Sequence, residues 1–385
     1  MKIVVAHNRY RSALPSGENV VVDDDIHVLR DAGVDVVPLI EESDDIPTLG
    51  LGGRLGVATG PVFNAAGVGR MRRLLAVHHP DLVHVHNVFP LLSPWIVRAA
   101  HEAGVPVVQT VHNFRQDCVA GTYFRDGAVC TDCVGRRLAM PALRHGCYRG
   151  SRVQTLPMVV GRALHQSTWR SVDRFLVLTE FHAEHLQTLG VPADRIVVRP
   201  TSVPDPGAIT RPGNDILFVG RLDAEKGVEL LLDAWALREP DGRRLVVAGD
   251  GPLAGLARER ARADSTIRYR GRLTADEVAE AMEQAAAVAL PSVWLEGLPR
   301  VAVEAMARGR AVLAVDHGGL ATIVDDACGW LVPADVAAWA RALGSLSDLD
   351  LRRRGAGARA VYECRFDQAV TTRLLLSTYD EVLAS

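Results

Sequence analysis

Two carboxylates stand eight residues apart in LPSVWLEGLPRVAVEAMARG (290–309), Glu296 and Glu304. A strand is expected to end at Leu290-Pro291, and a helix to begin near Pro299, because Pro suits a first helical turn. Glu296 then lies at the helix mouth beside the Gly297-Leu298 backbone, and Glu304 looks out one or two turns deeper. Carboxylates so placed accept paired hydrogen bonds from vicinal hydroxyls, such as those of a ribose or a hexose. The plainer reading makes Glu296 an acid favoured by the helix dipole and Glu304 a surface residue. The apolar neighbours Val301, Ala302, Val303, Ala305 and Met306 fit poorly with a merely solvated Glu304.

The matching cations lie in ILFVGRLDAEKG (216–227). Gly220 and Arg221 end a strand, and Lys226 and Gly227 open the next helix. Two cations at the carboxyl edge of a sheet, with helix N–H groups beside them, suit a diphosphate; the alternative is a solvent-exposed Arg and Lys. Of 43 basic residues only Lys2 and Lys226 are Lys. An ammonium and a guanidinium are not interchangeable at a phosphate site, so a mid-chain Lys226 in so Arg-biased a chain reads as functional. Lys2 sits at the chain start and carries no such weight. VQTVHNFR places His112 at a strand end, where a His is either a structural hydrogen-bonder or a cleft residue. Two patterns are set aside. GDGPLA (249–254) fits a relaxed dinucleotide fingerprint but falls on the second strand of its domain, not the first. Asp23-Asp24-Asp25 contains Asp-x-Asp, yet lies in an expected helix and reads as a solvated face.

These residues need strands and helices to position them. Short β-branched runs predict strands at 2–8, 34–40, 81–87, 105–112, 174–179 and 195–200, and again at 216–220, 244–249, 266–271, 287–291, 311–315 and 329–333. Helical patterns separate most of them. Near-continuous apolar strands alternating with helices imply parallel sheets covered on both faces. The expected α/β fold is two tandem Rossmann-like domains, each a doubly wound parallel sheet, facing each other across a cleft where ligands bind. The domains are expected at 1–203 and 215–365, joined by a Pro/Gly linker at 204–214. A final helix at 366–385 has no strand after it. Length 385, 48% hydrophobic and 23% charged residues are ordinary for a soluble two-domain chain. A net charge of −3 gives no pull toward nucleic acid. No leader or membrane span is expected, so the default location is cytoplasmic, with peripheral membrane contact left open.

VGRLDAEKG, VVAGDGPL, LPSVWLEGLPRVAVEAMARG and HGGLATIV occur in the order of a family-four retaining glycosyltransferase of the GT-B type, which the chain resembles over 214–340 and more weakly over most of the first half. The resemblance implies transfer of a sugar from a nucleoside-diphosphate donor, UDP- or GDP-linked, to an acceptor hydroxyl of a small molecule or lipid-linked saccharide, with retention and no catalytic metal. It implies that Arg221 and Lys226 neutralise the diphosphate and that Glu304 binds ribose hydroxyls. Glu296 with Gly297, Leu298 and Pro299 would address the donor sugar, and Arg272 and Leu273 would lie beside the base. Gly17 and Glu18 match the family's Gly-rich loop near the diphosphate, with Ser16 where a second Gly is usual. His112 matches a His near donor sugar and acceptor, and Glu180 a cleft-side turn that is equally an ordinary helix-start acid. The final helix would cross back to the first domain. Gly318-Gly319-Leu320-Ala321-Thr322 lacks the Glu usual there, and Ala311 stands where Pro is common.

Four of the six Cys crowd together as Cys118, Cys130, Cys133 and Cys147. The C-x2-C pair with two flanking Cys is expected to form a structural Zn site shaping the acceptor side, with His145 as a substitute ligand, or else to be reduced thiols. Cys328 and Cys364 read as small core residues. From Val134 to Val172 there are seven Arg and no acid. This is a solvated face, or a surface for a phosphate-bearing acceptor or an anionic membrane. Rival readings are a sugar-nucleotide epimerase of the same fold, acting without acceptor, and a non-catalytic nucleotide-sugar-binding subunit, against which the four polar residues Arg221, Lys226, Glu296 and Glu304 argue.

Overall fold

A computed structural model describes residues 1–12, 16–207 and 211–385. The chain divides into two compact units. Unit one holds Met1–Tyr123, Cys130–Arg199 and Thr372–Ser385, and unit two holds Phe124–Val129 and Pro200–Thr371. The expected linker at 204–214 includes residues 208–210, which lie outside the described residues.

Unit one carries β1 (Lys2–Arg9), β2 (Asp35–Glu42), β3 (Leu82–Val85), β4 (Val107–Val111), β7 (Arg174–Val177) and β8 (Ile196–Val198). They form one parallel sheet in the order β2-β1-β3-β4-β7-β8. Between β4 and β7 the short hairpin β5 (Phe124–Arg125) and β6 (Ala128–Val129) turns through Asp126-Gly127, both at positive φ. Its helices are α1 (Gly17–Asp31), α2 (Leu51–Thr59), α3 (Ala65–His78), α4 (Trp95–Glu102), α5 (Met140–His145), α6 (Arg152–Leu164), α7 (Gln166–Arg170) and α8 (Glu180–Thr188). Alternation along the strands sorts the core. Val4, Val83 and Phe175 pack to one side, and Ile3, Val5, Leu82 and Leu176 to the other. That second side is closed by α1 and by Leu375, Tyr379 and Val382, a stripe at helical spacing in the C-terminal helix.

Unit two repeats the pattern with β9 (Asp215–Val219), β10 (Leu245–Ala248), β11 (Ile267–Gly271), β12 (Ala285–Leu290), β13 (Ala311–Val315) and β14 (Gly329–Val332), in the parallel order β11-β10-β9-β12-β13-β14. The helices are α9 (Val228–Leu237), α10 (Ala254–Ala263), α11 (Ala275–Gln284), α12 (Arg300–Ala307), α13 (Leu320–Ile323), α14 (Val336–Gly344) and α15 (Asp348–Val361); α16 (Gln368–Ala384) follows, and from Thr372 on it belongs to unit one. Every residue of β12 and β13 is buried, as a sheet covered on both faces requires. In each unit the strand order reverses at one place, between β1 and β3 and between β9 and β12. Such switch points open a crevice at the strand carboxyl ends. No helix of the described residues is long and apolar enough to cross a membrane.

Two expectations fail here. Asp25 is no part of a solvated face: it is buried in α1 and takes both guanidinium nitrogens of buried Arg199, at 2.6 and 2.8 Å. Cys364 is exposed, whereas Cys328 is buried as expected. Removing one member of a buried pair strands the other charge, at a cost of about 3–5 kcal/mol. Asp25→Ala or Arg199→Ala should therefore lower the unfolding free energy from urea titration by that much, and Asp25→Leu with Arg199→Met should recover most of it. Equal losses in single and double variants would show that the pair is not what holds α1 to β8.

Candidate active site

Unit two gathers its polar side chains at the β9/β12 switch point. Lys226 follows β9 and Glu296 follows β12, and Lys226 Nζ lies 2.5 Å from Glu296 Oε1. Ser292 Oγ donates to the same oxygen at 2.7 Å, and the Trp294 ring centroid is 5.2 Å from the ammonium. Glu296 is buried. Burial alone would raise its pKa, but the ammonium and the Ser292 hydroxyl outweigh it and hold the carboxyl below its ordinary value. Arg221 is about half exposed and held by Asp223 at 2.9 Å and Glu225 at 3.3 Å. Glu304, in α12, accepts from Arg300 Nε at 3.0 Å through one oxygen. Pro299 is the N-cap of α12, so the first free N–H groups of that helix follow Gly297 and Leu298.

Neighbouring loops brace this arrangement. His317 Nε2 bonds the Ser292 carbonyl at 2.9 Å, and Gly319 N–H donates to the Glu296 carbonyl at 2.8 Å. A Cβ on Gly319 would lie 1.7 Å from the Gly297 carbonyl oxygen, so only Gly admits the contact. The GDGPLA segment has the same kind of role: Gly249 has φ of 144°, and a Cβ there would meet the Gly220 carbonyl at 1.8 Å. It seats β10 against the Gly220-Arg221 turn. Arg272 and Leu273 follow β11 directly, with Leu273 packed on the core and Arg272 exposed.

Unit one places a different chemistry at the β1/β3 switch point. His86 follows β3, His112 follows β4, and His86 Nδ1 and His112 Nε2 are 2.9 Å apart. Burial holds both rings well below their ordinary pKa, with neighbouring His rings adding to the effect. Two neutral imidazoles at this distance must split donor and acceptor roles, so their tautomers are locked together. His7, in β1, is lowered to about 4 by burial, and its Nε2 contacts Asn19 Oδ1 at 3.0 Å. Gly17 opens α1, with Ser16 as its N-cap. Glu18 accepts from the Tyr10 hydroxyl at 3.2 Å. Burial pushes the Glu18 carboxyl up to about 7, against the pull of Arg115, Tyr10 and Asn113. A cavity of about 30 Å³, room for a water, opens among Glu18, His86, Gln109, His112, Asn113 and Arg115. Gln109 Oε1, Gln116 Oε1, His86 Nε2 and Arg115 Nε are buried there without a partner. Unpartnered buried polar atoms cost free energy until water or a ligand satisfies them.

The sequence did not single out Tyr10, His86, Gln109, Arg115, Ser292 or His317. His86 was readable, since HVHN ends a strand just as TVHN does; the others act through partners far along the chain. Glu180 is the first residue of α8 and is exposed.

A structural Zn site in the thiol insert is not shown. Among the described residues no three His, Cys, Asp or Glu side chains are arranged to hold a metal. Cys118, Cys130, Cys133 and Cys147 are all half-buried, and none is in a disulfide. Cys133 and Cys147 instead pack on a small apolar cluster of Val119, Ala139, Ala142, Met158 and Val159. Burial pushes the Cys133 thiol up, away from the thiolate a metal needs. A buried Asp117–Arg162 ion pair ties the insert down, with Tyr123 donating to Asp117 at 2.9 Å and Arg162 donating to the Arg136 carbonyl at 2.6 Å.

Two doubly wound parallel sheets, one in each unit, are the fold of the GT-B class. Residues 213–348 match the family described as glycosyl transferases group 1, and residues 16–201 match the glycosyl transferase 4-like domain. A D-inositol 3-phosphate glycosyltransferase of Mycobacteroides abscessus is 30% identical over 81% of this chain and 69% of its own length. A phosphatidyl-myo-inositol mannosyltransferase of Mycobacterium leprae is 28% identical over 84% of this chain and 79% of its own. The chain belongs to the group 1, 4-like glycosyltransferase family. Its fold is shared by Anabaena HepE, solved in complex with UDP (TM-score 0.67, 16% identity, 99% of this chain and 100% of that one). It is also shared by sucrose-phosphate synthase of Thermosynechococcus elongatus (TM-score 0.72, 17% identity, 100% and 99%).

A carboxyl whose folded pKa lies above its unfolded value binds its proton more tightly in the native state, so its stabilising effect is complete below the unfolded pKa and fades as pH rises. For Glu18 the window runs from 4.5 to about 7. Across it the wild type should lose about 3 kcal/mol more stability than Glu18→Gln. Parallel pH–stability curves, measured by urea unfolding, would place Glu18 in a far wetter setting.

Proposed function

We propose that the protein transfers a glycosyl group from a nucleoside-diphosphate sugar to an acceptor hydroxyl, with retention at the anomeric carbon. The observation that carries this is the Lys226–Glu296 pair at the β9/β12 switch point. A diphosphate competes for the ammonium, and Arg221 with the N–H groups at the start of α12 adds further positive potential. Glu296, released from Lys226, then needs new donors, and the hydroxyls of the donor sugar supply them. The outer oxygen of Glu304 serves the ribose, and Arg272 with Leu273 flanks the base. In the transfer step the bond from the anomeric carbon to the diphosphate oxygen breaks and that from the acceptor oxygen forms on the same face. The acceptor proton passes to the departing phosphate oxygen. No metal is needed where Lys226, Arg221 and helix N–H groups take up the developing charge.

His112 and the Glu18 loop act on the first unit's side. With Nε2 engaged by His86, Nδ1 is the ring atom of His112 left for a donor-sugar or acceptor hydroxyl. The relatives named for inositol-containing acceptors support a polyol acceptor, free or lipid-linked. The HepE complex with UDP makes UDP-sugars the first donors to try, and GDP-sugars the second.

A thermal-shift panel of UDP, GDP, ADP and dTDP with their sugars tests this directly, since a ligand that binds only the native state raises its melting temperature. One base should shift the wild type and fail to shift Lys226→Ala. With that donor, Lys226→Ala and Glu304→Ala should each lose about 100-fold or more in kcat/KM without unfolding, and NMR of the product should show the donor's anomeric configuration. Near-wild-type turnover in both variants would refute the donor site, and an inverted product would refute retention alone.

A further inference from the structure

The unpartnered atoms around the cavity of unit one share a polarity. Gln109 Oε1 and Gln116 Oε1 are acceptors, Arg115 Nε is a donor, and all three are buried without a hydrogen bond. Glu18 Oε1, on the same wall, has no partner either. Gln109 is fixed by its place inside β4, paired with Val85 on one side and Phe175 on the other. The polarity of the remaining atom, His86 Nε2, depends on where two hydrogens sit.

A neutral imidazole has one N–H and one lone pair. His86 Nδ1 and His112 Nε2 are 2.9 Å apart, so one of them carries the hydrogen of that bond. If His112 Nε2 carried it, the His86 hydrogen would sit on Nε2, a buried N–H with no acceptor. If His86 Nδ1 carries it, only a lone pair goes unused. Orphaned buried N–H groups are rarer than under-used acceptors. His86 therefore donates to His112, His112 keeps its own hydrogen on Nδ1, and His86 Nε2 is a bare acceptor.

Three neutral acceptors then share the cavity with one guanidinium N–H. A carboxylate would satisfy Arg115 but bring no hydrogen to the acceptors. An ammonium would bring hydrogens but face the guanidinium charge. A hydroxyl does both, accepting from Arg115 and donating to an acceptor. About 30 Å³ admits the edge of a ligand rather than a whole ring. We propose that this cavity takes the hydroxyl-bearing edge of a polyol, with His86 Nε2, Gln109 and Gln116 accepting its hydrogens, and that His86 also positions His112 as a donor through Nδ1. Calling this polyol the glycosyl acceptor rests on the function proposed above; the cavity chemistry does not.

Two measurements on the full chain test it. In protein labelled with 15N in its imidazoles, long-range 1H–15N spectra distinguish hydrogen on Nδ1 from hydrogen on Nε2. His86 and His112 should both carry it on Nδ1 in the wild type, and His112 should lose that preference in His86→Leu but keep it in His86→Asn, whose amide can still donate. Hydrogen on His112 Nε2 in the wild type would overturn the assignment. The second measurement is a thermal-shift titration with glycerol, myo-inositol and the methyl glycosides of glucose, galactose and mannose. Preferential exclusion of such solutes raises stability without saturating, whereas site binding saturates. At least one should give a saturable rise of about 2 °C, lost in Gln109→Leu and in His86→Asn. Absence of any saturable rise, or its survival in both variants, would overturn the polyol site. The nucleotide-induced shift, read on the same proteins, reports on the second unit alone and separates failure of the donor site from failure of this one.

Discussion

Lys226 and Glu296 are 70 residues apart in sequence and 2.5 Å apart in space, and most of unit two is arranged so that they can meet. β9 and β12 become neighbours only because the strand order reverses there. The carboxylate is buried and could not stay ionised without a cation beside it. The loop that carries it is fixed from beneath by Ser292 and from the side by His317 and Gly319. A pair built this way is satisfied and yet replaceable. Its ammonium retains donors for a better anion, and its carboxylate, once deprived of that ammonium, must find hydroxyl or N–H donors. A ligand carrying both a diphosphate and vicinal hydroxyls answers both needs at once, which is the physical link between the geometry and the proposed donor.

Unit one meets the same topological opportunity mostly with uncharged groups. His7, His84, His86 and His112 are all held below their ordinary pKa, chiefly by burial, and Glu18 is raised. The switch point between β1 and β3 therefore offers neutral imidazoles near neutral pH, beside the Arg115 guanidinium and the raised Glu18 carboxyl. That suits hydroxyl-bearing ligands, whose recognition depends on hydrogen-bond direction more than on charge. The C-terminal helix takes part. Tyr379 contacts His84 Nδ1 at 2.7 Å, while His84 Nε2 contacts Thr110 at 2.7 Å. The last turns of the chain thus help set the tautomer of a ring whose centroid lies 4.2 Å from that of His86.

Strands such as β1 and β13 were legible because a strand buried on both faces reads as a near-continuous apolar run. The placement of Lys226 and Glu296 near the β9/β12 switch point was legible because they follow strand ends, positions that the pattern locates. The first unit's polar network was not, because its partners lie far apart in sequence: Tyr379 and His84, Arg199 and Asp25. Asp25 shows where local reading fails. Three consecutive Asp look solvated, although Val22, Asp25, Ile26 and Leu29 already trace one buried stripe of α1; its partner is 174 residues away. The hairpin at Phe124–Val129 carried its own signal, an Asp-Gly turn, in a stretch read only for its cysteines. The buried Asp117–Arg162 pair in the cysteine-bearing insert was not legible either, its members being 45 residues apart.

The Arg bias gives the two kinds of cation different meanings. Arg310 is fully buried and spends its donors on the Met282 and Glu283 carbonyls, both at 2.8 Å. Arg354 does the same at the Asp326 and Gly329 carbonyls. A planar fork with five donors suits carbonyls that are fixed and never leave. The Lys226 position is different. Its space is bounded by one carboxylate oxygen and the face of Trp294, too narrow for a fork to be satisfied. A compact ammonium can turn from that oxygen to a phosphate without dismantling a fixed set of hydrogen bonds. In a chain that uses Arg almost everywhere, Lys226 stands where the proposed donor calls for a cation that can change partners.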